Sequence, residues 1–270
     1  MSMESPRLDV DAYQKALDDY TARGGIVRAI LLINPHNPLG VVFPPEEVIK
    51  LCDWATRNNL VVLVDESFTS CVFAPNSSFK SFLSYRNQLE KPENVMYFWS
   101  LSKDFGIPGL KISVVQSSYP KLIQTLATLE LIHPVSGLAH DAATAILSDF
   151  DWLRKFNEIK LTRLSAHYKF VEGHLREMRL PFCPAEAGCF VMIDFRKHLR
   201  SQTFADELSL FQSLCDRGVM LTPGQHVLCQ QPGWMRLVFS CHKSELIEGI
   251  YRMRMFFNMT IERETMNINY

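Results

Sequence analysis

Trp99-Ser-Leu-Ser-Lys-Asp-Phe-Gly-Ile-Pro-Gly-Leu-Lys111 follows directly on an apolar run that begins at Val95. The run predicts a buried strand, so Lys103 is delivered at a strand's carboxyl end, ahead of a glycine and proline loop. In an open α/β sheet that end is where ligands bind. A lysine amine held there in a partly desolvated pocket is a nucleophile able to form a Schiff base with an aldehyde.

Working outward, two earlier apolar runs lead to ends of the same kind. Ile26 to Ile33, broken only by Arg28, predicts a parallel strand covered on both faces. It ends in Asn34-Pro-His-Asn-Pro-Leu-Gly40, where two prolines and a glycine fix a rigid loop. Leu60 to Val64 predicts a second buried strand, ending in Asp65-Glu-Ser-Phe68, and Ile112 to Gln116 a fourth after the Lys103 loop. Helices are expected over residues 9–23 and 44–59, with prolines and carboxylates opening the second. Beyond Tyr119 the spacing turns helical and leads to a long connector from Trp152 to Met178. A strand from Cys189 to Asp194, a helix from Thr203 to Arg217, a strand from Met235 to Ser240, a helix from Ser244 to Phe257 and a polar tail complete the chain. The pattern reads as a βαβ-type domain over residues 8–150, a connector helix with a smaller α+β domain over 151–258, and a tail over 259–270.

The formal net charge of -1 gives no electrostatic reason to expect nucleic acid or an anionic membrane as partner. The polar start, Met1-Ser-Met-Glu-Ser-Pro-Arg7, lacks an apolar signal stretch, and no apolar run reaches the length of a membrane span. A cytoplasmic protein with small-molecule chemistry is expected. Seven cysteines, an odd number without a C-x-x-C pair, are expected to be reduced thiols. His226 and Cys229 have a ligand-like spacing without a second pair, so no metal site is expected.

Asn37, Asp65 and Lys103 stand at or just beyond three successive strand ends, which in a parallel sheet share one rim. Pyridoxal 5'-phosphate, an aldehyde cofactor, needs a carboxylate to keep its ring nitrogen protonated. Asp65 is the candidate. Asn37 can donate to the phenolic oxygen, and Ser100, Ser102 and Lys111 flank the lysine as candidate phosphate ligands. Arg236, in Trp234-Met-Arg-Leu-Val-Phe239, can clamp a substrate carboxylate. Each feature alone also occurs as a cap, a solvated charge or a rigid turn; their order together carries the reading.

Those stretches, with the segment Pro134 to Asp149, resemble the fold-type I pyridoxal-phosphate enzymes of the aspartate aminotransferase superfamily. The similarity is closest to the 1-aminocyclopropane-1-carboxylate synthase-like branch and extends over residues 8–257. It implies an α/β chain carrying part of the PLP-dependent transferase fold, a mainly parallel sheet flanked by helices plus a smaller α+β domain. It implies that Lys103 binds the cofactor as a Schiff base and moves a proton at the substrate Cα. Asp65 would pair with the ring nitrogen, Asn37 with the phenolic oxygen, Ser100 and more weakly Ser102 with the phosphate, and Arg236 with the α-carboxylate of an amino-acid substrate. Transamination, β-elimination and cyclopropane-forming γ-elimination all use the same lysine and aspartate. A homodimer is implied, with Pro134 to Ser148 a contact region.

Two positions depart from the family pattern. Phe68 stands where a tyrosine also bonds the phenolic oxygen, and Lys111 where an arginine grips the phosphate in two bonds. The resemblance also implies about a hundred further residues at the amino end. The chain is therefore expected to be an amino-terminally shortened piece, inactive by itself. The competing expectation is a catalytically silent homologue or truncated isoform with a binding or scaffold role.

Overall fold

The computed structural model describes residues 6–259 and 265–270. They divide into two compact units. One takes in the described residues of Met1–His36 with Val41–Asn157, the other Asn37–Gly40 with the described residues of Glu158–Tyr270. Residues 1–5, where the polar start was read, and 260–264 of the expected tail lie outside the described residues.

The first unit opens with α1 (Val10–Ala22), capped by Asp9, whose Oδ1 accepts from the Asp11 and Ala12 amides. Then come β1 (Ala29–Ile33), α2 (Pro45–Arg57) and β2 (Val61–Asp65). β3 (Val95–Ser100), the single-turn helix α3 (Leu101–Asp104) and β4 (Ser113–Gln116) follow. α4 (Pro120–Glu130), α5 (Gly137–Ser148) and the first turns of α6 (Phe150–Glu177) close it. The sheet order is β1-β2-β3-β4, parallel across the first two pairings and antiparallel across the last. α2 packs on β2, burying Val48, Leu51 and Ala55 with Val62, Val64 and Val95.

β1 corrects one expectation. It is shorter than the apolar run, and Leu31 is 61% exposed while Leu32 is 3% exposed. β1 is one of the two outer strands of this sheet, and one of its faces is left open by the described residues. α4 buries none of its side chains, and Leu131, Ile132 and Leu138 are exposed around the turn into α5.

The second unit contains the rest of α6, then β5 (Phe182–Cys183), β6 (Phe190–Asp194), α7 (Phe204–Cys215), β7 (Thr222–Pro223), β8 (Trp234–Val238) and α8 (Lys243–Phe256). Its antiparallel sheet has the order β5-β6-β8-β7, and every residue of β6 is buried. All seven cysteines are free thiols. Among the described residues no helix is long and apolar enough to cross a membrane.

The tail also corrects its expectation. Thr265-Met-Asn-Ile-Asn-Tyr270 alternates with a period of two, the pattern of an extended segment with one buried face. Met266 and Ile268 are buried. The Phe239 carbonyl can only accept, so His167 donates to it from Nδ1 at 2.7 Å and accepts the Tyr270 hydroxyl at Nε2 at 3.0 Å. Residues 265–270 therefore pack into this unit's core through Met266 and Ile268. Ile268→Ala is expected to cost about 2 kcal/mol or more of stability, read as a lower urea midpoint, whereas Asn267→Ala at an exposed position should leave the midpoint in place. Equal midpoints for both would detach the segment from the core.

Candidate functional site

The parallel pairing of β2 with β3 puts Asp65 opposite Phe98, so Asp65 and the turn after Ser100 emerge on one rim of the first unit. Asp65 is half-buried. Its Oδ1 accepts from the Ser67 amide at 2.9 Å and the Ser67 hydroxyl at 2.5 Å, while Oδ2 accepts nothing from the described residues. Lys103 lies on α3, directly after β3 and ahead of the glycine and proline loop. Its side chain is exposed, not partly desolvated, and Nζ bonds no described residue. The buried places in that turn go to Leu101 and Asp104, each 1% exposed and three residues apart on one face, which leaves the adjacent Lys103 outward.

Ser100 caps α3. Its Oγ accepts from the Ser102 amide at 3.1 Å, lies 2.8 Å from the Ser102 hydroxyl and donates to the Ile112 carbonyl at 3.2 Å. Lys111 ends the 3-10 turn Pro108–Leu110 in the left-handed region, φ 56°, and its side chain is exposed. Phe68, at the departure from the tyrosine pattern, is 4% exposed.

Glu66 is fully buried just behind Asp65 and was not among the candidates. It accepts from the Phe82 amide at 2.5 Å and the Ser81 hydroxyl at 2.7 Å, with the Thr69 hydroxyl at 3.4 Å. Burial raises its pKa, and these hydrogen bonds oppose the rise. Burial, with the Glu66 charge nearby, pushes the Tyr97 phenol up to about 12. The cluster fastens the loop after Asp65 from below. The signal in the sequence was an acid directly after an apolar strand, where a second carboxylate is stable only if donors meet it.

His36, on the loop after β1, has a buried Nδ1 with no hydrogen-bond partner among the described residues and its ring edge against Phe43, centroids 5.7 Å apart. Burial lowers its pKa from 6.5 to about 4. The folded chain thus keeps His36 neutral where the unfolded chain protonates it. Stability is expected to be full above pH 6.5 and to fall as the pH drops towards 4, by up to about 3 kcal/mol. Urea midpoints across that range should slope less in His36→Phe; an unchanged slope would place the titration elsewhere.

In the second unit, Asn37 and Arg236 meet. Arg236 lies on β8 between Met192 of β6 and Thr222 of β7. Its Nη1 donates to Asn37 Oδ1 at 2.9 Å, its Nη2 reaches the Thr222 hydroxyl at 3.4 Å, and the guanidinium lies 5.4 Å from the Phe190 ring centroid. Arginine has donors only, so the amide oxygen of Asn37 must face it and the Asn37 NH2 is left to donate elsewhere. Arg236 Nε is buried with no partner among the described residues. Gly40 holds the Asn37 loop in place: at φ +71°, a Cβ would lie 2.7 Å from the Ala185 Cβ and 3.0 Å from the Ala187 carbonyl oxygen. Its carbonyl accepts from the Glu186 and Ala187 amides at 2.7 and 2.9 Å.

These groups fit a pyridoxal-type cofactor: an unbonded carboxylate oxygen for a ring N–H, an unbonded primary amine on the neighbouring strand's end, and hydroxyls beside it. Among the described residues no group of three or more His, Cys, Asp or Glu gathers as a metal site would require.

The sequence profile described as "Aminotransferase class I and II" matches residues 2–252. The chain is 34% identical over 249 residues, 92% of its own length and 49% of the relative's, to "1-aminocyclopropane-1-carboxylate synthase-like protein 1" of Mus musculus. It is 29% identical over 259 residues, 96% of its length and 45% of the relative's, to "Probable inactive 1-aminocyclopropane-1-carboxylate synthase-like protein 2" of Homo sapiens. The chain thus spans about half the length of the curated relatives it matches. Among solved structures, aspartate aminotransferase from Thermus thermophilus with maleate superposes with a TM-score of 0.73 at 19% identity, over 86% of this chain and 58% of that one. At that identity the likeness bears on the fold alone.

Proposed function

Because the chain belongs to the aminotransferase class I and II family and has an aspartate aminotransferase-like α/β fold, we propose that it is the cofactor-binding part of a pyridoxal-phosphate enzyme acting on an α-amino acid, with Lys103 as the lysine that holds the cofactor. One observation carries the reading: Lys103 and Asp65 stand at the ends of neighbouring parallel strands, and neither Lys103 Nζ nor Asp65 Oδ2 is spent on the described residues.

When bound, pyridoxal phosphate supplies an electron sink for charge developing at the substrate Cα. Lys103 Nζ would hold the cofactor and would take and return the proton at the substrate Cα. Asp65 Oδ2 would accept the ring N–H, with Oδ1 committed to Ser67. By the family pattern Asn37 would donate its NH2 to the phenolic oxygen, Arg236 would offer its remaining N–H groups to the α-carboxylate, and Ser100, Ser102 and Lys111 would serve the phosphate. Transamination or elimination would follow from which bond at Cα or beyond is broken next. A homodimer of the full-length protein belongs to the same proposal, supported by the apolar Leu131, Ile132 and Leu138 exposed near Pro134, and a cytoplasmic location is proposed from the sequence alone.

A second reading, a catalytically silent binding or scaffold protein, has its own support. Phe68 brings no hydroxyl, and Lys111 lacks the planar fork. The two readings separate on adding pyridoxal phosphate, reducing with borohydride and mapping the labelled peptide. Saturable labelling of Lys103, ahead of the other exposed lysines, supports the enzyme; label spread among lysines without saturation supports the silent homologue.

A further inference from the structure

We propose that Asp104 is a positioning residue whose buried carboxylate clamps the turn carrying Lys103 to the loop that follows Asp65. The inference rests on the reading of Lys103 and Asp65 as cofactor residues. Asp104 Oδ2 receives the Trp99 Nε1–H at 2.7 Å; Oδ1 receives the Ser70 amide at 3.0 Å and the Cys71 thiol at 3.5 Å. The same thiol lies 3.9 Å from the Lys103 carbonyl oxygen. Ser70 and Cys71 belong to the 3-10 turn Thr69–Cys71, just beyond Asp65, while Trp99 is at the end of β3. One carboxylate therefore joins three segments.

The need for such a tie follows from the register. The β2–β3 ladder ends at Asp65 and Phe98, with one further bond from the Glu66 amide to the Phe98 carbonyl. Beyond it the two chains leave the sheet, and α3 is too short to fix its own direction. Asp104 supplies the missing cross-link from one side. On the other, Phe105 stacks on Phe156 with ring centroids 5.5 Å apart. The backbone at Lys103 is thereby held while its amine stays free, as a lysine that must reach a fixed ring and then move requires.

Asp104→Asn keeps the shape but offers one acceptor oxygen where donors converge on two, so at least one tie must break. Hydrogen exchange of the 270-residue chain, followed by peptide mass spectrometry, is expected to rise about tenfold or more both at Ser70–Cys71 and at residues 101–105, with β6 and β8 unchanged. Saturable pyridoxal-phosphate labelling of Lys103 should weaken about tenfold. Asp65→Asn combined with Asp104→Asn should lose less than the product of the single losses, since a loosened Lys103 turn already denies the cofactor ring its full contact with Asp65. Faster exchange at 101–105 with Ser70 unaffected, or losses that simply multiply, would overturn the clamp. Trp99→Phe and Cys71→Ala, each removing one donor, repeat the test should Asp104→Asn fail to fold. If the parent chain takes no saturable label, the cofactor reading falls, and joint loosening of the two segments still decides the clamp.

Discussion

Lys103→Ala is expected to abolish saturable labelling by pyridoxal phosphate and borohydride while leaving the chain as stable as its parent. The two halves of that result come from different observations. Lys103 is the lysine carried on the turn after β3, the strand paired with the one that ends at Asp65, so with it gone the remaining lysines should label only as solvated amines do, slowly and in proportion to reagent. Lys103 is exposed and its amine bonds no described residue, so its removal should change the unfolding free energy by no more than about 0.5 kcal/mol. Affinity for the unreduced cofactor should fall at least about a hundredfold, the loss of a contact worth more than roughly 3 kcal/mol. Peptide mapping, cofactor titration and thermal melting together check this. Labelling that remains saturable in Lys103→Ala would move the cofactor lysine elsewhere, and a collapse in melting temperature would make Lys103 a structural residue.

What the sequence made legible follows from how local each signal is. The run ending at Asp65 declares itself because a parallel strand buried on both faces needs continuous apolar residues, and β2 fell within a residue of its predicted bounds. The run ending at Ile33 has the same composition, yet Leu31 is exposed: hydropathy records what a side chain prefers, whereas covering it depends on which segments lie alongside. Lys103 was placed at its strand end by the same logic, but its exposure was hidden, because the inward face of α3 is taken by Leu101 and Asp104. The donors that make Asp104 an anchor come from residues 70, 71 and 99, and only the β2–β3 pairing brings them together. The bond from Arg236 to Asn37 joins residues 199 positions apart, beyond any spacing rule. The alternation in Thr265–Tyr270 was present in the sequence, but six residues with exposed asparagines resemble a solvated end until the surface that buries Met266 and Ile268 is known.

Asp65→Asn is expected to weaken cofactor binding about 10- to 100-fold with little loss of stability, and Asp65→Ala to weaken it as much while also destabilising the chain. The division of labour between the two carboxylate oxygens sets this pattern. Oδ1 is committed to the Ser67 amide and hydroxyl, and an asparagine oxygen can keep both bonds, so the loop stays in place. Oδ2 is the oxygen left for the cofactor's ring N–H. An amide NH2 cannot accept there, and the charge that keeps the ring nitrogen protonated is gone, a charge-assisted hydrogen bond worth about 1.5–3 kcal/mol. Alanine removes that bond and orphans the Ser67 donors as well, adding about 1–3 kcal/mol of destabilisation. Cofactor titration, with urea unfolding of the same variants, separates the two effects. Equal affinity in the parent and Asp65→Asn would mean that Asp65 serves only the Ser67 turn, and the ring nitrogen would then need another partner or none, which would favour the silent homologue over the enzyme.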